Sequence, residues 1–587
     1  MIILLVLLLS FQASAYVISK GNSGESLKWI KQDSRIPLYI DPNVIGNNAS
    51  GISSLDVQTI FNESISEWNA YSPFQLVPFY TTSQTGANQV EFTDNPIYFD
   101  SGVLAITEVN FNSSTGVISS ADIYFNESLN NYISFTDDET ESSHLKAYLG
   151  DVFTHELGHL LGLSHSEVIG SSMVFSVFKN QHTLHSDDIH GIWDNYNVTQ
   201  APGEIYGSVL GGQAVPVFGA NVFLINSVTM EVEQAQLTDE SGKFHFKNVD
   251  KTKSYLIYSA PLKLLDSVSE YYSTIISTYC TGGNDYQTSF FTDCGARSAS
   301  RPQGIQFGDE SSLDVGEITI RCSEKLSPEY LSLKQETSER EFQLVDSFRK
   351  TAFVFNGYFS SDEINDGLTG QGDEFDIDLR YLDVENIHDY VLKVNTVTNG
   401  IGSALGVDLF IKRVDEAGYT LYQSSTDETG KRLTDQELYL PLSSVTSNNQ
   451  FSIKVFPRVL TSSETYEIFS VFNKLSNSRS HYLLSAQLGD YHSGAFEPLN
   501  LYGSEYFDDN ASCLEGEITF TSEAYEPLAS SAAQLGVDDE AGLGVSCGTV
   551  DINSDGPGSG GAGVSFIFGL LLFMGMKILG FRLNLVR

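Results

Sequence analysis

The chain has 587 residues, room for about three or four domains, and carries 75 acidic against 32 basic side chains, a formal net charge of −43 at pH 7. Such a surface repels phosphate backbones and anionic lipid, which excludes nucleic-acid binding and suits a soluble exported protein. The acidic residues are spread along the chain, so the charge says nothing about a substrate.

The first fifteen residues are apolar and end Ala13-Ser14-Ala15, the pattern of a signal peptide cleaved before Tyr16. No basic residue precedes the apolar run, so an uncleaved N-terminal anchor is the alternative. Pro37–Ile40 reads as a first strand. Over 55–69, Leu55, Val57, Ile60, Phe61, Ile65 and Trp68 fall on one helical face. Strands are expected at Gly102–Ala105 and Ala121–Asn126, and a second long helix at 147–161.

That second helix carries the chemistry. Residues 155–165 read His-Glu-Leu-Gly-His-Leu-Leu-Gly-Leu-Ser-His. His155 and His159 are four apart and share a helix face. Gly162 tolerates the left-handed conformation that ends a helix, which lets the chain return His165 to the same point. Three neutral imidazoles leave the fourth position of a tetrahedral zinc open for water, the arrangement of a catalytic site. Glu156 sits one residue on, beside the metal and not necessarily bound to it.

With its flanks, the stretch of about residues 26–197 resembles the metzincin metalloproteases and, within them, the matrixins. The resemblance implies an α+β metzincin catalytic domain, a twisted sheet with long helices, spanning 16–200. It makes His155, His159 and His165 the ligands of one catalytic zinc and Glu156 the general base. Ser171-Ser172-Met173 fits the methionine turn, with Met173 as the apolar floor of the site, and Leu184–Trp193 resembles the closing helix. Asp187 or Asp188 would sit in that helix's first turn, favourable to its dipole. Val103, Leu104 and Ala105 would pair with the backbone of an extended peptide substrate.

Four positions depart from the matrixin pattern. No cysteine precedes Cys280, so thiolate latency is not expected. Ile106 and Tyr124 replace histidines that many matrixins use for a second, structural zinc. Phe175 stands where astacin-like and serralysin-like enzymes carry a tyrosine. The proline usual after the matrixin methionine is absent.

Past Ala201-Pro202-Gly203 the pattern turns to strands and turns. Residues 203–322 resemble a carboxypeptidase regulatory-like β-sandwich, with Val222/Leu224 and Phe244/Phe246 facing inward and His245 outward. Residues 323–510 read as a second all-β sandwich, faintly similar to the pre-peptidase C-terminal type. Its acidic loop from Asp362 to Glu374 is a calcium candidate, with a solvated acidic turn as the alternative. The five cysteines all follow the first domain, and Cys280–Cys294 and Cys513–Cys547 are the favoured pairs in an exported protein.

Residues 511–561, acidic and then Gly/Ser-rich, read as a flexible linker. The apolar run of 562–587 ends with Lys577, Arg582 and Arg587. It reads either as a transmembrane anchor with a cytoplasmic basic end or, by resemblance, as a GlyGly-type sorting tail removed by an intramembrane protease. The whole reading is a secreted or cell-surface zinc endopeptidase acting on protein or peptide substrates. The alternative is a surface adhesin or structural protein with a degenerate protease domain.

Overall fold

A computed structural model of the chain describes residues 17–320, with gaps that include 263–285 and 292–303. Beyond these it describes chiefly strands between 352 and 499 and one strand at 546–553. The leader, the candidate calcium loop at 362–372, Cys280, Cys294, Cys322, Cys513 and the tail at 562–587 lie outside the described residues. No helix among the described residues is long and apolar enough to cross a membrane.

The first unit is a mixed sheet backed by helices. Its strands are β1 (Arg35–Ile40), β2 (Gln75–Tyr80), β3 (Gln89–Thr93), β4 (Val103–Phe111) and β5 (Ile118–Asn126). They lie in the order β2-β1-β3-β5-β4, parallel except for the antiparallel β4–β5 pair. Helix α1 (Ser54–Tyr71) starts at Ser53, whose hydroxyl accepts from the Asp56 N–H. It buries Val57, Ile60, Phe61, Ile65 and Trp68, the face read from the sequence except for Leu55, which is exposed. Phe61 stacks on Phe153 of α2 (Leu149–Leu160) with ring centroids 4.0 Å apart, and Trp68 Nε1 donates to the Thr154 carbonyl at 2.8 Å. Every residue of α2 is buried, so the sheet and α1 hold it on all sides. The closing helix α3 (Ser186–Asn195) lies two residues further on than the sequence pattern placed it.

The end of α2 is tied down unusually well. Leu163 N–H bonds the Gly158 carbonyl and Gly162 N–H the His159 carbonyl, a Schellman turn with Gly162 at φ +89°. A Cβ on Gly162 would stand 2.2 Å from the Leu27 carbonyl oxygen, so no other residue fits. The remaining carbonyls of the last turn accept from Trp29 Nε1 (to Leu160) and Tyr196 OH (to Leu161), each at 2.8 Å.

The second unit has strands β8 (Gly203–Leu210), β9 (Asn221–Asn226), β10 (Val232–Leu237), β11 (Lys243–Val249), β12 (Ser254–Ala260), β13 (Ser289–Phe290), β14 (Ile305–Gln306) and β15 (Ser312–Thr319); the short strands β6 (Ser134–Thr136) and β7 (Lys146–Tyr148) belong to the first. One sheet runs β10-β9-β12-β13 with β14 beside β12, the other β11-β8-β15. The two share one apolar core in which Val222 and Leu224 meet Phe244 and Phe246. His245 lies on the face opposite Phe244 and Phe246, as expected, and is half-buried there, its Nε2 3.2 Å from Glu204 Oε2. Further along, β16 (Ala352–Tyr358), β18 (Val391–Val397), β20 (Glu437–Pro441), β22 (His481–His492) and β23 (Ala495–Pro498) form one sheet. Strands β17 (Asp373–Asp378), β19 (Gly406–Arg413) and β21 (Gln450–Arg458) form another.

One strand falls inside the stretch read as a flexible linker. β24 (Ser546–Asn553) joins the first unit's sheet, parallel to β4, with Cys547 opposite Ala105 and Asn553 opposite Phe111. The reason is physical: β4 otherwise ends the sheet with unpaired N–H and C=O groups, and any extended segment can pair with them.

Candidate metal centre

The turn at Gly162 brings His165 back over the face of α2 that carries His155 and His159. All three rings are buried, with one ligating atom from each lying within 4.8 Å of the others. Ring centroids are 4.6 Å apart for His155–His159, 4.8 Å for His159–His165 and 5.2 Å for His155–His165. The Nε2 atoms of His159 and His165 converge to 3.2 Å.

Backbone carbonyls orient the first two rings. His155 Nδ1 lies 2.7 Å from the Ser172 carbonyl and His159 Nδ1 2.8 Å from that of Leu163. A carbonyl only accepts, so the proton resides on Nδ1 and Nε2 presents its lone pair inward. Burial first, and then the neighbouring His165 ring, push His155 down to about 3; burial and the two neighbouring rings push His159 well down too. Both imidazoles are therefore neutral at physiological pH, the form that binds metal. His155 Nε2 is buried and has no hydrogen-bond partner among the described residues. A buried acceptor left so costs about 1–3 kcal/mol, which a zinc ion with three imidazole ligands would recover.

Glu156 is fully buried on the side of α2 facing the sheet. Its Oε2 accepts from Thr107 Oγ1 at 2.6 Å. Met173 lies beneath the helix: a Cβ on Gly158, between the two helical ligands, would stand 2.1 Å from Met173 Sδ. The methionine turn is held by Asp188, whose carboxylate accepts from Ser172 N–H at 2.8 Å, Met173 N–H at 3.1 Å and the Ser171 hydroxyl. It also accepts from His185 N–H at 2.9 Å, completing a capping box on α3. Phe175 sets its ring edge-on to His165, centroids 5.1 Å apart.

The structure thus brings together His155, Glu156, His159, His165 and Met173. Val103, Leu104 and Ala105 begin β4, but β24 pairs with that strand's outer edge. Ile106 and Tyr124 face each other across β4 and β5, and Tyr124 stacks on Tyr98 with centroids 4.2 Å apart. Sequence reasoning missed Thr107, whose one signal is a hydroxyl within a buried strand run. It also missed the Ser172 and Leu163 carbonyls, which leave no signal at all. Asp188 was placed in the right turn for its dipole alone, whereas it anchors the loop that carries Met173.

Residues 40–197 match the family model of the matrixins, peptidase family M10. The match supports a metalloprotease domain over this stretch and implies a catalytic zinc, which the three-histidine cluster fits. No curated protein matches the chain.

Proposed function

We propose that residues 16–200 are a zinc-dependent endopeptidase, exported and held at the cell surface, and that Glu156 is its general base. The observation that carries this reading is the convergence of three buried imidazoles beside a carboxylate fixed by Thr107. A zinc ion held there supplies a Lewis acid for the scissile carbonyl and acidifies a water. Glu156 would serve as the base for the attacking water and would pass that proton to the amide nitrogen as the C–N bond breaks. Thr107 keeps the carboxylate aimed from the sheet side, and Met173 fills the space below so that the helical ligands cannot tilt.

An extended peptide would lie along β4 at Val103, Leu104 and Ala105, hydrogen-bonded through its main chain. To take that edge it displaces β24. The second unit fits a carboxypeptidase regulatory-like sandwich and the third a second sandwich. The leader at 1–15 exports the chain, and 562–587 anchors it at least transiently.

The test is cleavage of casein or gelatin by the full chain with zinc, run beside Glu156→Ala and a chelated sample. Cleavage by the wild type alone supports the assignment. Failure of a folded, zinc-loaded wild type to cut any of a panel of denatured proteins turns the reading to the adhesin. Against the adhesin stands the full set of ligands, base and methionine, intact and assembled.

A further inference from the structure

The loop from His165 to Met173 is held from two sides, and one of those sides belongs to the second unit. Ser166, next to the third imidazole, donates its N–H to the Met173 carbonyl at 2.8 Å and its Oγ–H to Asp187 Oδ2 at 2.6 Å. The other oxygen of Asp187, Oδ1, accepts at 2.7 Å from the N–H of Ala235 in β10. β10 is the outer strand of its sheet, so this N–H points away from the ladder and toward α3. Beside it, Ser186 Oγ donates to the Glu233 carbonyl at 2.9 Å. Val168, three residues past His165, is 1% exposed and packs in one apolar cluster with Phe223, Ile225 and Val232 of the second unit and Leu483 of β22.

We propose that Asp187 and Val168 are positioning residues through which the β8–β15 unit becomes part of the metal centre, setting the loop that presents His165. The proposal rests on reading the three imidazoles as a zinc site. Asp187 gives one oxygen to each unit, so the spacing between Ser166 and β10 is fixed by two hydrogen bonds. Val168 supplies the apolar half of the same contact. Without the second unit, Val168 would face water and a buried carboxylate would lose a donor; both favour rearrangement of the loop. A ligand on a loop is only as well placed as what the loop leans on, and here it leans on another unit.

The test uses the full chain. Asp187→Ala removes both bonds; Asp187→Asn keeps an oxygen for Ala235 and an amide for the Ser166 hydroxyl. Ala235→Pro removes the donor from the far side, at an edge position where the ladder does not need it. Zinc affinity is measured by chelator competition, ligand geometry by the visible spectrum of the cobalt(II) form, and turnover as separate kcat and KM. Asp187→Ala and Ala235→Pro are expected to weaken zinc binding about 10- to 100-fold and shift the cobalt bands, with Asp187→Asn close to wild type. Unchanged zinc affinity and cobalt spectrum in folded Asp187→Ala or Ala235→Pro would overturn the proposal. Should Asp187→Ala fail to fold, Ala235→Pro and Val168→Ala decide, since neither removes a polar group of the first unit. A wild type that binds no zinc overturns the metal-centre reading itself; tight wild-type binding that the variants share overturns only this inference.

Discussion

Thr107 Oγ1 donates to Glu156 Oε2 at 2.6 Å and lies 3.1 Å from the Glu156 carbonyl oxygen, so one hydroxyl on the sheet sits against both the side chain and the backbone of the candidate base. Hydrogen bonds to charged groups contribute about 1.5–3 kcal/mol. Thr107→Val keeps the shape and removes the donor. It is expected to lower kcat by roughly 10- to 100-fold with zinc content and KM little changed. Steady-state kinetics beside a zinc assay check this; an unchanged kcat would mean that Glu156 is aimed by its helix alone.

Gly158 is where helix propensity and site packing conflict. Alanine there would favour the helix by up to about 1 kcal/mol. Its Cβ, however, would stand 2.1 Å from Met173 Sδ and 3.0 Å from Trp68 Cζ2. Overpacking of this kind costs about 1–3 kcal/mol, so Gly158→Ala should lower the unfolding temperature. Adding Met173→Ala should recover part of that loss, a coupling that a double-mutant cycle reads directly.

His182 ties the loop before α3 to the first turn of the zinc helix, its Nδ1 2.8 Å from Asp151 Oδ1 and its ring edge-on to Tyr148. The hydrogen bond to Asp151 holds the His182 imidazolium above its ordinary range, while burial pushes the Asp151 carboxyl up. For His182 the folded pKa exceeds the unfolded one. Its contribution is therefore fully present below about 6.5 and is lost as pH rises through the raised value. Thermal unfolding of wild type against His182→Gln, from about pH 5.5 to 8.5, should show a gap that closes as pH rises. A gap independent of pH would leave His182 only a packing role.

β24 pairs with the edge of β4 on which the proposed function seats a peptide substrate, so the two would compete. Deleting 546–553 should lower KM for an extended peptide by roughly tenfold, since a tethered strand acts at about millimolar effective concentration. The peptide 546–553 added back in trans should inhibit the deleted protein competitively. An unchanged KM would mean that substrates do not use this edge.

What was legible in the sequence was what local spacing dictates. The four-residue interval of His155 and His159, the turn at Gly162 and the return of His165 follow from helix geometry. So do the buried face of α1 and the alternation that turns Val222/Leu224 and Phe244/Phe246 inward. What was illegible depends on segments distant in the chain. Thr107 meets Glu156, Trp29 and Tyr196 meet the end of α2, and Asp187 meets Ala235 only through the tertiary fold. Val168 is buried against the second unit in the same way, through a contact that no local spacing announces. β24 was missed for a related reason: its strand has nothing to pair with until β4 presents an edge.

The sheet that carries the site begins with the first strand of the chain and is finished by the last one described. A ribosome delivers these in order, so during synthesis β4 has one side open. During that interval the nascent protein meets other extended chains with the edge of β4 bare and its own partner strand not yet made. Growth of the polypeptide therefore works as a timer, and the edge is covered only once residues 546–553 have been made.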